Sequence, residues 1–169
     1  MRKVIVSNMV SLDGFFEGVN KELDWHVVDE EFHAYARDML RKADTLLFGA
    51  ATYEVMAAYW PTAPSDEIAD RMNGLSKIVF SKTLQKVTWN NSSKLKQQPG
   101  KDIVILGSAQ LASFLLPLGL IDEYRAILNP VLLGGGKPLF NGITERIRLK
   151  LITAKVFGSG VVLLSYQRA

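Results

Sequence analysis

The chain has 169 residues, 48% hydrophobic and 22% charged, which fits a single domain over 1–169 with a substantial core. A net charge of +3 with no cluster of Lys and Arg gives no support to nucleic-acid binding, and the lack of Cys excludes disulfides, thiolate metal ligands and cysteine nucleophiles. No apolar run is long enough to cross a bilayer, and Asn8, Ser11 and Asp13 interrupt the N-terminal apolar stretch too early for a signal peptide, so a cytoplasmic location is expected.

Val4 to Met9 reads as a buried strand running into SLDGFFEG, Ser11 to Gly18, where two glycines bracket two aromatics. This segment is a loop that either moves or lets a ligand approach, and Phe15 and Phe16 are core anchors or ligand contacts. Asp29 to Lys42 has the clearest helical period: Phe32, Tyr35, Ala36, Met39, Leu40 and Ala43 fall on one face. Asp29, Glu30 and Glu31 open it and Arg37, Arg41 and Lys42 lie towards its end, as the helix dipole favours. Two readings of the three acids stand: they stabilise the helix start, or one faces a pocket as a proton donor.

Thr45 to Phe48 is a second strand ended by Gly49, with a short helix from Thr52 to Tyr59 stopped by Pro61. A small helix, Asp66 to Asn73, has Gly74 as its expected cap. Lys77 to Ser81 and Val87 to Trp89 are the third and fourth strands. Ile103 to Leu106, a continuous apolar run, is a fifth strand buried on both faces. It breaks at Gly107-Ser108 into a helix over Ala109 to Leu116. A strand turning on glycine into a helix start is either an ordinary βα turn or an anion site, because free N–H groups and the helix dipole meet there. Glu123 to Leu128 is the sixth strand. The glycine run Gly134 to Gly136 with Lys137 after it is a flexible turn or a weak anion signal. Leu149 to Val156 and Val161 to Tyr166, joined at Gly158-Ser159-Gly160, form a closing hairpin. The layout predicts an α/β fold whose ligands sit at the carboxyl ends of the strands.

SLDGFFEG after strand one, GAATYE after strand two, FSKT after strand three and LGSAQL after strand five, in that order, resemble dihydrofolate reductase. The segment LIDEYRAILNPVLLGGGKPLF is most similar to the reductase domain of riboflavin-biosynthesis bifunctional deaminase-reductases. The resemblance covers nearly the whole chain. It implies a three-layer, dihydrofolate reductase-like fold: a mixed, mainly parallel sheet of about eight strands, helices on both faces and a C-terminal antiparallel hairpin.

It further implies NADPH as cofactor, a small-molecule substrate and a homodimer. Gly49 and Thr52, with Gly107, Ser108, Ala109, Gln110 and Leu111, would embrace the cofactor phosphates. Ser81 and Lys82 would lie beside the adenosine ribose. Met9, Asp13, Phe16 and Gly18 would cover the nicotinamide, with Asp13 also a catalytic candidate. Counted from Trp25, itself a substrate contact, Glu30 falls at the family's pocket carboxylate, with Asp29 and Glu31 as register alternatives. Lys137 would hold a substrate phosphate. The implied activity is most like that of 5-amino-6-(5-phosphoribosylamino)uracil reductase, with dihydrofolate reductase-type activity or a non-catalytic nucleotide-binding module as alternatives. The chain departs from the family in having Ala50 where arginine usually follows the glycine, and Gln110 where a basic residue often stands, leaving Lys82 as the point charge for a ribose phosphate. The family's deaminase half needs histidine, glutamate and paired cysteines, so it is not expected in this chain. No metal site is expected, since His26 and His33 are seven apart.

Overall fold

A computed structural model describes residues 2–80 and 99–169. A seven-stranded sheet has the order β4-β3-β5-β1-β6-β9-β8. Its strands are β1 (Val4–Ser11), β3 (Ala43–Gly49), β4 (Ser76–Phe80), β5 (Asp102–Leu106), β6 (Glu123–Asn129), β8 (Leu149–Val156) and β9 (Val162–Arg168). The pairs β4–β3, β3–β5, β5–β1 and β1–β6 are parallel, whereas β9 runs antiparallel to both β6 and β8. This is the expected mixed, mainly parallel α/β fold with its terminal hairpin. Two short strands, β2 (Phe15–Glu17) and β7 (Lys137–Pro138), make a separate ribbon. The first loop therefore contains a strand that its sequence did not reveal. The strand expected at Val87–Trp89 lies outside the described residues.

Alternation along β5 shows why the central strands are apolar throughout. Ile103 and Ile105 enter a cluster with Val4, Val6, Leu111 and Leu115, while Val104 enters a second one with Leu40, Leu46 and Phe48 on the other face. All three β5 residues are fully buried, each contributing about 2 kcal/mol of apolar transfer. Helix α1 (Glu30–Lys42) and helix α3 (Glu67–Gly74) cover the second face, and α4 (Ala109–Leu115) the first. Helix α2 (Ala50–Tyr59) follows β3 and has no buried residue. It runs on into a 3-10 turn, Trp60–Thr62.

Local signals decide the helix ends. Asp29 caps α1, its carboxylate accepting the Phe32 N–H at 2.8 Å, and Asp66 caps α3 through Ala69 N at 2.7 Å. Gly74 is the last residue of α3, and extended Leu75 caps it in place of the expected glycine. The opposite, amino-terminal end of the sheet is tied by Arg2, a buried guanidinium that meets the Asp44 carboxylate, Thr45 Oγ1 at 2.8 Å and the Lys101 carbonyl at 2.7 Å.

Candidate active site

Because β3 and β5 are parallel neighbours, the bends that follow them emerge on the same edge of the sheet. Gly49 N–H donates to Ser108 Oγ at 3.0 Å, and Thr52 Oγ1 donates to the Gly107 carbonyl at 3.4 Å. The two strand–glycine–helix junctions thus form one continuous surface. Gly107 has φ +63°, a left-handed angle that favours glycine. A Cβ there would lie 3.5 Å from Thr52 Cγ2, 3.8 Å from Met56 Cε and 3.9 Å from Phe16 Cζ, so a larger side chain would project between the bends and the first loop. Helix α2 is preceded by Gly49, which supplies no side-chain cap and so leaves its first-turn N–H groups for a ligand.

The bends open into a cavity of about 890 Å³, within the usual range of about 300–1,000 Å³ for small-molecule and cofactor sites. Met9, Phe16, Gly49, Thr52, Gly107, Ser108, Ala109, Gln110, Leu111 and Lys137 all line it. Gly18, Asp13, Trp25 and Glu30 do not, and Ser81 and Lys82 lie outside the described residues.

The acids at the start of α1 lie away from the cavity lining. Glu30 lies on the exposed side of α1, bonded to Arg37 and 3.8 Å from His33, and the Arg37 guanidinium holds its carboxyl below the usual range. Asp29 is consumed by the helix cap, and the Ser159 hydroxyl together with the Phe32 N–H keeps it ionised. Glu31 accepts the Gly158 N–H at 2.6 Å. All three point elsewhere because the apolar face of α1 turns towards the sheet and the cavity, which leaves the first-turn acids on the solvent side. Trp25 likewise sits outside the cavity, its indole N–H bonded to the Glu22 carbonyl at 3.0 Å and its ring against His26.

Asp13 also has a structural task. Its carboxylate accepts Ser11 Oγ at 2.6 Å, Leu133 N at 3.1 Å and Gly134 N at 2.8 Å. It clamps the first loop onto the glycine run. Gly136 serves the same junction: at φ +138° it packs so closely on β2 that a Cβ would meet the Glu17 carbonyl oxygen at 2.1 Å. Lys137 lines the cavity, but its Nζ is 3.4 Å from Glu17 Oε1 and 5.9 Å from the centre of the Phe16 ring. The Ser11 hydroxyl and the two N–H groups lower the Asp13 pKa, so the clamp holds above the ordinary aspartate range and loosens as pH falls through the lowered folded value. Asp13→Ala is expected to accelerate amide hydrogen exchange at Leu133 and Gly134 at neutral pH; unchanged exchange there would show that the clamp does not order the turn.

Sequence reasoning missed a polar pair in the cavity lining. Ser7 on β1 and Tyr35 on α1 share a hydroxyl–hydroxyl bond of 2.8 Å, with the Arg125 guanidinium 5.8 Å from the Tyr35 ring centre. Burial pushes the Tyr35 pKa up, so its hydroxyl stays protonated. His26 also lines the cavity, and burial lowers its pKa to about 4, making it neutral at physiological pH. Ser7 reads as an ordinary strand residue, and Tyr35 falls in the same period as the core residues of α1, so no sequence signal distinguishes them.

Comparison with known proteins bears on this arrangement. The family model for the RibD C-terminal domain matches residues 2–163. An uncharacterised Bacillus subtilis protein, YyaP, is 37% identical over 98% of this chain and 94% of its own length. Among solved structures, the diaminohydroxyphosphoribosylaminopyrimidine deaminase/5-amino-6-(5-phosphoribosylamino)uracil reductase of Thermotoga maritima superposes with a TM-score of 0.72 at 12% identity, over 99% of this chain and 57% of that one. Enterococcus faecalis dihydrofolate reductase, complexed with NADP(H), superposes with a TM-score of 0.62 at 14% identity, over 98% and 96%. The two structures share the general fold, while the model match and the Bacillus relative extend over almost every residue described above. The chain therefore belongs to the RibD C-terminal domain family, in the dihydrofolate reductase-like fold.

Proposed function

We propose that this chain is an NADPH-dependent reductase acting on a C=N or C=O acceptor, as the riboflavin and folate reductases of this fold do. The observation that carries the reading is the contact between the two bends, Gly49 to Ser108 and Thr52 to Gly107, at the mouth of the cavity. The residues fit a dinucleotide: the left-handed Gly107 leaves room near the backbone, and the uncapped start of α2 offers N–H donors for a diphosphate. When bound, the dihydronicotinamide supplies the hydride. Phe16 and Met9 line the part of the cavity next to β1 and would exclude water from the transfer. Ser7 and Tyr35 are protonated hydroxyls in the cavity lining and would orient an acceptor or relay its proton.

Titration with NADPH tests the reading. Trp60 lines the cavity, so binding is expected to transfer tryptophan excitation to the nicotinamide, with saturation below about 1 mM. No binding at that concentration would remove the proposal. One observation favours the second reading, a non-catalytic nucleotide-binding module: none of the three acids at the start of α1 faces the cavity. Oxidation of NADPH on adding a carbonyl or imine acceptor separates the two, because a binding module would retain the nucleotide unchanged.

A further inference from the structure

We propose that the acceptor is an uncharged, mainly apolar ring compound bearing the reducible carbonyl or imine, and not a phosphorylated sugar–pyrimidine. The inference rests on the reductase reading above and assigns the substrate class of the same site. The half of the cavity bounded by α1, α2 and α3 is walled by Phe32, Met39, Met56, Tyr59, Trp60 and Ile68. These are aromatic and thioether surfaces that stack on flat rings and adapt to their outline.

A phosphate dianion would need a cation or free N–H groups there, because an unpaired charge against apolar walls loses its hydration without return. Among the described residues, no arginine lines the cavity, and its two lysines, Lys21 and Lys137, come from the first loop and β7. Lys137 already faces Glu17 at 3.4 Å. The start of α3, which would otherwise attract an anion, is occupied by the Asp66 carboxylate in its cap to Ala69, and Glu54 adds a further negative group to the lining. His26 carries no charge at neutral pH, since burial holds its pKa near about 4. The walls and the charges therefore select together for a neutral ring.

A bound dihydronicotinamide would supply the hydride for a new C–H bond at the carbonyl or imine carbon as the C=O or C=N π bond breaks, water would supply the proton at its oxygen or nitrogen, and the oxidised nucleotide would be the second product.

Calorimetric titration of the full chain in excess NADP+, which occupies the bends, using 2-naphthaldehyde as the neutral probe and 5-amino-6-(5-phosphoribosylamino)uracil as the phosphorylated one, tests the class. The naphthaldehyde is expected to bind at least about ten-fold more tightly. Phe32→Ala should weaken it by about ten-fold through loss of a stacking wall. Val28→Arg, at an exposed position on the rim and tolerable to the fold, should narrow or reverse the preference by supplying a cation. Tighter binding of the phosphorylated compound, or naphthaldehyde affinity unchanged in both variants, would overturn the inference. The outcomes separate from those of the reductase reading: NADPH binding without naphthaldehyde binding sinks the substrate class alone, and the reverse sinks the reductase while leaving the apolar site.

Discussion

Gly107→Val is expected to weaken NADPH binding by about 100-fold, the largest functional effect of any single change at the bends. Two causes act together. The side chain enters the space between Thr52, Met56 and Phe16, where the diphosphate would approach the backbone. The φ of +63° also strains a β-branched residue by about 1–2 kcal/mol, lowering the melting temperature by several degrees. Gly107→Asn separates these causes, because asparagine accepts the left-handed angle at lower cost yet still fills the cradle. Weak NADPH binding with near-native melting in the Asn variant identifies the cradle. Native affinity in that variant would place the diphosphate elsewhere and remove the basis of the cofactor assignment.

Arg2→Ala is expected to have the largest effect on stability, about 3 kcal/mol, seen as a fall in melting temperature of roughly 6–12 °C. Arg2 is 6% exposed and joins the amino ends of three strands: β1 through its own chain, β3 through Asp44 and Thr45, and β5 through the Lys101 carbonyl. Removing it leaves that carbonyl and the Thr45 hydroxyl short of a partner and the Asp44 carboxylate without its counter-charge. Burial by itself would raise the Asp44 pKa, but the Thr45 hydroxyl, the Lys101 N–H and Arg2 outweigh it and lower the value. A lowered folded pKa means this stabilisation is present above the ordinary aspartate range near 3.8 and is lost as pH falls through the folded value. The variant should therefore show a shallower acid limb in thermal melts. A melting temperature within about 2 °C of the parent would show that water replaces the guanidinium at no net cost.

The two variants act at opposite ends of the same strands, and the division is physical. The amino ends of β1, β3 and β5 are locked by the buried Arg2 guanidinium and its part-exposed partner Asp44, whereas their carboxyl ends carry backbone bends, a left-handed glycine and an open cavity. Binding is left to the end where backbone groups remain unsatisfied by the sheet.

Much of this was legible in the residues. A continuous apolar run at Ile103–Leu106 means a strand covered on both faces, and the apolar period from Phe32 to Ala43 means a helix, because both signals depend on near neighbours alone. The strand–glycine–helix bends at 49 and 107 are local features too. Their contact is not: it follows from β5 inserting beside β3 in the sheet, a pairing between segments more than fifty residues apart. The direction of Glu30 depended on which face of α1 the sheet would take. The carboxylate of Asp13 found its partners at Leu133 and Gly134, far along the chain, and so reads from sequence only as a polar loop residue.

The α1 face illustrates the limit best. Phe32, Ala36 and Met39 repeat with the helical period whether the surface opposite them is a packed core or a cavity. Periodicity reports which side of a helix avoids water, and an apolar pocket avoids it as well as a core does. By itself, then, the sequence determined most of the elements, the glycine bends and the family. Only the tertiary structure decided which polar groups face the cavity and which were spent on clamps and caps, because that depends on non-local pairing, in which each side chain takes the partners its neighbours in space leave open.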